Sequence, residues 1–507
     1  MAKNGKHNDF KDEMMKKQND RMFKNQYFWA TLCALITFGF AYAMMYPGHG
    51  WGGDFSQYIA QTKALLTGTV QEWYEKNGYI IEHSFDGLGA DVYPWGFPLL
   101  LVPVYLIFGE SIVAFKIFEI VLLSISTFVL VLYFKNKMPL PYAVIMAFMI
   151  GLNPAYLKHT DAVLSDIPCM LFSIMAVWFT QMHLVSKNKH LRNGILCGVF
   201  VFLATYIRTM ALCLLLALVV IDSVLGLYWL FWKKRGKDPG KMEEYYQMKW
   251  YWHIVPYGVY GLLHVLMNSV LIKSGGTYWN YFDFSFERIQ IMYELYLPCL
   301  QDVLGSFSCV LSILILIGVI YSFKKELYLM VYVSGMIVML LVYPHYQGER
   351  FFFSVFPFLY LFAYMGAAAI CVHIKDRLIQ GIFIGIAISM VVLYGKECTD
   401  EIIPFRKSIE KPIEAYSQDA EAVYAYINMY VTDDSVVYFF KPRVLYLMTN
   451  VYSYSKGDNI DALQQADYVL ISRHDDLINC KNYLAENTEY VVDYSNATFI
   501  LYRALNK

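Results

Sequence analysis

Asp54 is an acidic residue in a glycine-rich segment that directly follows the first long apolar run of the chain. The segment reads HGWGGDFSQYIAQTKALLTG over residues 49–68. A carboxylate in such a place has the chemistry of a general base that takes a proton from a hydroxyl group. The alternative is a helix cap, in which Asp54 accepts hydrogen bonds from the amides of Ser56 or Gln57. The residues alone leave both interpretations open.

Further ionisable residues stand at the ends of other apolar runs. Lys158, Asp161 and Asp166 occur in KHTDAVLSDIPCMLF, Arg208 separates two apolar runs, and His345 and Arg350 occur in YPHYQGERFFFSVFPF. Ionisable groups at a membrane edge are costly and tend to be paired or functional. The simpler interpretations are a helix cap for Asp166 and interfacial anchors for the basic residues.

The composition indicates the kind of fold that holds these residues in place. Of 507 residues, 57% are hydrophobic and 16% are charged, so a soluble protein would have too little polar surface to cover its core. The composition predicts a polytopic α-helical membrane protein. The net charge of −1 argues against nucleic acid as a partner. The nine cysteines show no metal-ligand spacing.

About eleven apolar runs approach the ~20 residues that a membrane span requires. They cover residues 27–46, 111–134, 139–156, 165–185, 193–208, 210–232, 253–272, 305–323, 326–343, 351–374 and 377–395. Residues 1–26 are polar and predict a cytoplasmic tail, and residues 27–395 predict one transmembrane domain. Residues 93–109 are apolar but contain three prolines, which predicts an interfacial or half-inserted helix.

The loops between the runs predict an orientation. Lys and Arg cluster in alternate loops, all on the side of the N-terminal tail, as the positive-inside rule requires. The external segments are then 47–110, 157–166, 273–304 and 344–350, together with everything after residue 396. We therefore expect an inner (plasma) membrane protein with a cytoplasmic N-terminus, and Asp54 faces outward.

Residues 396–507 have the composition of a soluble domain. The pattern predicts helices at 417–430 and 475–487, and strands at 435–440, 467–472, 490–494 and 497–503. We expect a small extracytoplasmic α/β domain.

The order of five motifs resembles a known superfamily. The motifs are GGDFSQYIAQTKALLTG, YPWGFPLLLVPVYLIFG, VLSDIPCMLF, YIR and GERFFFSVFPFLYL. Together they resemble the GT-C integral membrane glycosyltransferases, in particular the bacterial branch related to protein O-mannosyltransferases and the lipid A aminoarabinose transferase. The mannosyltransferases commonly have Asp-Glu in the first external loop, whereas this chain has Asp54-Phe55.

The resemblance implies a function and a set of site residues. The acidic residue of the first external loop is the catalytic centre in that superfamily, and Asp54 matches it; Asp166 and Arg350 match a second acid and a late arginine. The donor would be a polyprenyl-phosphate-linked sugar. The acceptor would be an extracytoplasmic glycan, lipid or protein. Lys441 and Arg443 match a Lys-Pro-Arg that recurs in the appended domains of some relatives.

Such a transfer assigns chemistry to the remaining candidates. Asp54 would act as general base with inversion at the sugar, and cations would stabilise the departing phosphate. The cations available are Lys158, Arg208, His345 and Arg350. Further candidates for binding the acceptor or the sugar are Gln57, Tyr58, Tyr93, Asp161, Lys441 and Arg443. Residues 93–109 and the aromatic loop Tyr278, Trp279, Tyr281 and Phe282 would line the lipid and sugar pocket.

The residues indicate no particular cofactor, and a divalent metal such as Mg²⁺ or Mn²⁺ held by Asp161 and Asp166 stays open. Two rival functions also stay open. A transporter or flippase for a lipid-linked substrate would place charges in mid-membrane and interrupt helices in pairs, whereas these candidates cluster in external loops. A non-enzymatic envelope assembly protein would use its outer domain to recruit a partner.

Overall fold

The protein is described by a computed structural model that covers residues 25–84, 93–185, 189–234, 250–272, 282–343, 345–374, 377–408 and 413–506. Helices dominate up to residue 408. They are α1 Gln26–Ala43, α2 Gly53–Thr67, α3 Val70–Ser84, α4 Gly96–Phe108, α5 Ile112–Lys135, α6 Leu140–Gly151, α7 Pro154–His159, α8 Asp166–Val185, α9 His190–Ile207, α10 Leu212–Lys234, α11 Trp250–Val270, α12 Phe286–Leu304, α13 Ser308–Ser322, α14 Leu327–Val342, α15 Phe356–Ile374 and α16 Arg377–Ser408.

Each predicted apolar run coincides with a helix, and the chain is an integral membrane protein. Within the described ranges, seven helices are long and apolar enough to cross a bilayer. They are Ile112–Lys135, Asp166–Val185, His190–Ile207, Thr209–Tyr228, Phe286–Ser322, Phe356–Ile374 and Leu378–Phe405. The segment Phe286–Ser322 comprises α12, a short 3-10 turn and α13. The apolar helices α4, α6 and α14 are shorter. Helix α16 continues past the apolar run, which ends near residue 395, into a polar stretch that ends at Ser408.

Close packing between membrane helices depends on glycine at two positions. Gly318 on α13 faces the backbone of Phe362, and Gly366 on α15 faces the backbone of Leu314. A Cβ atom at either glycine would overlap a backbone carbonyl of the other helix. Small residues allow such contact between membrane helices, where dispersion forces replace the hydrophobic effect.

Helix α4 is the segment predicted as interfacial, and it contains Pro103 within its length. Its first residue, Gly96, lies directly against the backbone of Tyr206 at the end of α9, where a Cβ atom would overlap the Tyr206 carbonyl. This contact brings the residues before α4 next to the residues that follow α9. Leu106, Ile107 and Phe108 at the other end of α4 are exposed.

The outer domain is a small α/β unit, as the sequence predicts. Its elements are β2 Ile413–Glu414, α17 Gln418–Tyr430, β3 Val436–Tyr438, α18 Pro442–Thr449, β4 Tyr452–Tyr454, α19 Ile460–Leu463, β5 Tyr468–Ser472, α20 Ile478–Glu486, β6 Tyr490–Ser495 and β7 Phe499–Ala504. Five strands form one sheet in the order β4-β3-β5-β7-β6. The pairs β3–β4 and β3–β5 are parallel, and β5–β7 and β6–β7 are antiparallel. Ser417 caps α17 by accepting from the amide of Ala420.

The outer domain is attached to the segment that carries Asp54. Strand β1, Gly48–His49, pairs in parallel with β2. Trp51 packs among Phe439, Phe440 and Phe499 of the outer domain, with ring centroids 5.8, 5.2 and 6.2 Å away. Two side chains of α3 also contact the outer domain at Asn450. Lys76 donates to the Asn450 carbonyl at 2.7 Å, and Glu72 accepts from the Asn450 side-chain amide at 3.2 Å.

Candidate active site

Asp54 lies in the first turn of α2, which begins directly after Gly52. Its carboxylate does not cap the helix but bonds to side chains from distant parts of the chain. Tyr93 donates its hydroxyl to Oδ1 at 2.7 Å, and Arg350 donates Nη1 to Oδ2 at 3.0 Å. Asp54 and Arg350 are 296 positions apart in the sequence. The fold therefore brings the first and the last of the predicted membrane-domain motifs into direct contact.

Arg443 joins this group from the outer domain. Its Nη1 atom donates to the Tyr93 hydroxyl at 2.6 Å and lies 3.6 Å from Oδ1 of Asp54. The guanidinium also lies over the Tyr93 ring, 4.9 Å from the centroid. Tyr93 thus accepts from Arg443 and donates to Asp54, which connects the outer domain to the carboxylate.

A second carboxylate, Asp166, sits at the start of α8 and is almost fully buried. Arg208 donates to its Oδ1 at 2.5 Å, and His159 lies 3.4 Å from its Oδ2. Arg208 also reaches Ser165 at 3.3 Å, and the Ser165 hydroxyl is 2.8 Å from that of Tyr58. Arg208 has an extended backbone, which ends α9 before the following helical turn. In this position its guanidinium reaches Asp166.

Residues of both clusters line one cavity of about 390 Å³. Phe351 also lines it and lies beside both guanidiniums, with its ring centroid 4.6 Å from Cζ of Arg208 and 5.6 Å from Cζ of Arg350. The lining combines polar side chains with apolar side chains from α10 and α14. The residues are Asp54, Tyr58, Tyr93, Pro94, Ser165, Ile207, Arg208, Thr209, Met210, Leu212, Cys213, Leu216, Phe282, Met339, Tyr343, His345, Gln347, Arg350 and Phe351.

The charges of the site act on the Asp54 carboxylate. Burial alone would raise the pKa of Asp54, but the Arg350 and Arg443 guanidiniums and the Tyr93 hydrogen bond outweigh burial and hold the pKa below its usual value. Burial raises the pKa of Tyr93, so its hydroxyl keeps its proton and acts as a donor. Asp54 is therefore an ionised carboxylate with both oxygens engaged.

Six predicted site residues do not line this cavity. Two of them, Asp166 and Arg443, bond to residues that do, and the other four are Lys158, Gln57, Lys441 and Asp161. Lys158 is half exposed, pairs with Glu401 of α16 at 2.9 Å and lines a different cavity. Gln57 is buried on α2 and does not line the cavity. Lys441 directly precedes α18 and does not line the cavity either. Asp161 bonds to Lys116 at 2.8 Å and to the Tyr46 amide at 2.8 Å. Of the aromatic loop, Phe282 lines the cavity, whereas Tyr278, Trp279 and Tyr281 lie outside the described residues.

The residues proposed for a metal do not fit one. Asp161 is bonded to the ammonium of Lys116, and Asp166 to the guanidinium of Arg208, so each carboxylate already has a cation at its oxygens. A hard divalent cation takes about six oxygen ligands. In the described parts of the chain, no group of three or more His, Cys, Asp or Glu side chains is arranged to hold a metal.

Several residues around the site were not singled out from the sequence. Ser165 and Gln347 line the cavity, and Gln347 accepts a hydrogen bond from Arg350. Lys116 and Glu119 are buried in the first third of α5. Charged residues inside an apolar run are by themselves a signal of a functional or paired site, and that signal was present for Lys116 and Glu119.

Comparisons with known proteins find a family match and similar folds. Residues 93–238 match the family described as dolichyl-phosphate-mannose-protein mannosyltransferase. The fold is similar to that of ArnT from Cupriavidus metallidurans bound to undecaprenyl phosphate, with TM-score 0.56 and 10% identity over 94% of this chain and 97% of that chain. The two chains therefore share a fold. The archaeal oligosaccharyltransferase AglB from Archaeoglobus fulgidus, in complex with an inhibitory peptide and a dolichol-phosphate, is also similar, with TM-score 0.54 and 10% identity over 88% of this chain and 69% of that chain.

The family match and the structural similarities agree with the resemblance expected from the sequence motifs, and the shared fold confirms the polytopic helical architecture and the small outer domain. No match was found among curated proteins. The family match covers the segment from Tyr93 through α10, which contains Asp166 and Arg208 but not Asp54, Arg350 or Arg443. The contacts of Asp54, Arg350 and Arg443 therefore rest on the structure of this chain and not on the family match.

Proposed function

We propose that this protein transfers a sugar from a polyprenyl-phosphate-linked donor to a hydroxyl group of an extracytoplasmic acceptor. The observation that carries the proposal is one cavity lined by an ionised Asp54, by Arg350 and Arg208, and by apolar side chains of α10 and α14. An anionic lipid-linked sugar has parts that match both kinds of lining, a charged phosphate and an isoprenoid chain. The GT-C fold supports the class of reaction.

Arg350, Arg208 and His345 bind the donor phosphate in this proposal. All three line the cavity, and the two guanidiniums flank Phe351. Guanidinium groups form charge-assisted hydrogen bonds to phosphate oxygens, and these bonds strengthen as negative charge develops on the leaving group. The isoprenoid chain lies along Leu212, Leu216 and Met339, which α10 and α14 present to the cavity.

Asp54 is the general base. It removes the proton of the acceptor hydroxyl while the hydroxyl oxygen forms a bond to the anomeric carbon, and the bond from that carbon to the phosphate oxygen breaks. Polyprenyl phosphate leaves with the bonding electrons. Attack from the face opposite the phosphate inverts the anomeric configuration.

Donor binding and base activation are coupled in this mechanism. Without donor, Arg350 occupies Oδ2 of Asp54 and lowers the basicity of the carboxylate. A donor phosphate competes with Asp54 for the Arg350 guanidinium. Once the phosphate draws Arg350 away, Oδ2 becomes available to the acceptor hydroxyl and Asp54 becomes a stronger base.

The orientation expected from the positive-inside rule places the site on the extracytoplasmic side, with the N-terminus in the cytoplasm. The outer domain packs against the segment that carries Asp54, so it stands on the same side as the site. The acceptor is an envelope glycan, lipid or protein that reaches this side.

The function is tested by product analysis in proteoliposomes that contain a defined polyprenyl-phosphate sugar and extracts of envelope acceptors. Mass spectrometry of the lipid and acceptor fractions should show equal amounts of released polyprenyl phosphate and glycosylated acceptor, with inverted anomeric configuration. Movement of intact donor across the bilayer without release of polyprenyl phosphate would instead identify a flippase. Neither release nor movement with any donor would contradict the proposed function.

A further inference from the structure

Arg443 contacts the site from outside the cavity. It is buried in the first turn of α18, with its side chain 8% exposed, and it does not line the cavity that Asp54 and Tyr93 line. Its contacts run to the Tyr93 hydroxyl at 2.6 Å and to Oδ1 of Asp54 at 3.6 Å. This position does not suit the sugar- or acceptor-binding role expected from the sequence, since a ligand in the cavity meets Tyr93 and Asp54 first.

The fold fixes the guanidinium over the start of α2. Pro442 occupies the first position of α18, where its restricted backbone favours the helix start. A Cβ atom added at Gly53 would lie 3.8 Å from Cδ and Nη1 of Arg443, an ordinary van der Waals distance, so the arginine side chain lies directly beside the start of α2. Trp51, three residues before Asp54, is packed between aromatic rings of the same outer domain.

We propose that Arg443 is a positioning residue through which the outer domain completes the active site, by orienting the Tyr93 hydroxyl and with it the Asp54 carboxylate. This inference rests on the proposed function of Asp54 as base. The Tyr93 oxygen accepts from Arg443 and must therefore direct its own proton to Oδ1 of Asp54. Oδ1 is then permanently occupied, and Oδ2 is the oxygen that receives the proton from the acceptor.

The charge of Arg443 also acts on Asp54, and the direction of its effect can be measured. The titratable or charged groups that face Asp54 are Arg350, Arg443, Tyr93 and Tyr58. Removal of a guanidinium next to an aspartate typically raises the aspartate pKa by about 1 to 3 units. A base works only when deprotonated, so a higher pKa means that activity is lost at a higher pH as the medium is acidified.

The test is the pH dependence of kcat/KM for Arg443→Gln, Arg443→Lys and Tyr93→Phe in proteoliposomes. We expect the acid limb of Arg443→Gln to move up by about 1 pH unit or more, and that of Arg443→Lys, which keeps the charge, to stay closer to the wild type. Tyr93→Phe should move the limb in the same direction, and the double variant Tyr93→Phe/Arg443→Gln should show less than the sum of the two shifts, because both act through one hydroxyl. Arg503→Gln is the matched control, since Arg503 is half exposed on β7 and pairs with Asp493 of the same domain.

Two outcomes overturn the inference. One is a uniform loss of activity in Arg443→Gln with the acid limb unchanged, which would indicate a merely structural arginine. The other is additive shifts in the double variant. If Arg443→Gln does not insert or fold, Arg443→Lys and Tyr93→Phe still decide the matter. Absence of glycosyl transfer in the wild type would refute the proposed function instead, so the two failures are distinguishable.

Discussion

The buried ion pair between Lys116 and Asp161 gives a quantitative prediction about stability. Lys116 on α5 is 1% exposed, and its ammonium donates to Asp161 at 2.8 Å and to the carbonyl of Tyr46 at 3.1 Å. Tyr46 follows α1, so this pair connects α1, α5 and the loop before α8. In Lys116→Met the side chain keeps its length, but Asp161 and the Tyr46 carbonyl lose their shared donor.

Removal of one partner from a buried ion pair costs about 3–5 kcal/mol, because the other charge remains buried without compensation. Asp161 is 24% exposed and keeps its bond from the Tyr46 amide, so we expect the lower end, about 3 kcal/mol. The double variant Lys116→Met/Asp161→Leu removes both charges and should recover most of the loss. Replacement of both partners of a buried pair by apolar residues is often close to neutral.

The assay is unfolding in detergent micelles followed by tryptophan fluorescence. Lys63→Met is the matched control, because Lys63 makes an ion pair of the same length, 2.8 Å, with Glu110, but both side chains are more than 40% exposed. Exposed pairs contribute about 0–1 kcal/mol, so the control should change little. An unchanged unfolding midpoint in Lys116→Met, or a double variant no more stable than the single one, would refute this reasoning and reopen a ligand role for Asp161.

Three further results are expected. Arg350→Gln should raise the KM for the donor roughly tenfold or more, because a hydrogen bond to a charged group is worth about 1.5–3 kcal/mol; Arg192→Gln, in the first turn of α9 and outside the cavity lining, serves as control. Chelation of divalent metals should leave transfer unchanged, and loss of activity that Mg²⁺ or Mn²⁺ restores would contradict the cation pairing of Asp161 and Asp166. Trp51→Ala should accelerate proteolytic release of the outer domain, and an unchanged cleavage rate would argue against its role in attachment.

The membrane helices could be predicted because their signal is local. A run of about 20 apolar residues predicts a helix without reference to the rest of the chain. The outer domain was also recognisable from its alternation of strands and helices, but the short elements β2, α18, β4 and α19 were missed. Helix α18 has only eight residues, too few for a periodic pattern to be distinguished from a loop.

The structure brings some of the candidate site residues together and leaves others apart, for a geometric reason. Asp54 meets Arg350, and Arg208 meets Asp166. Lys158 does not join them although its neighbour His159 reaches Asp166. Consecutive residues on a helix point about 100° apart. Because α7 turns His159 toward α8, it turns Lys158 toward Glu401 of α16.

The role of Arg443 could not be read from the sequence, since it depends on how two domains pack. The Lys-Pro-Arg motif suggested ligand binding, whereas the packing of α18 on α2 places Arg443 behind Tyr93. No local sequence pattern encodes the distance between Arg443 and Tyr93. Lys116 is the opposite case, because a lysine within an apolar run already predicts a buried partner.

The most direct test of the central claim is the rate of polyprenyl phosphate release by Asp54→Asn under saturating donor and acceptor. The change keeps the shape of the side chain and removes the base. General-base catalysis contributes about 10²–10⁴-fold, so the rate should fall by that factor while donor binding persists. Asp433→Asn, an exposed aspartate of the outer domain, should retain the wild-type rate. A rate for Asp54→Asn within a few-fold of wild type, in correctly inserted protein, would contradict the assignment of Asp54 as the catalytic base.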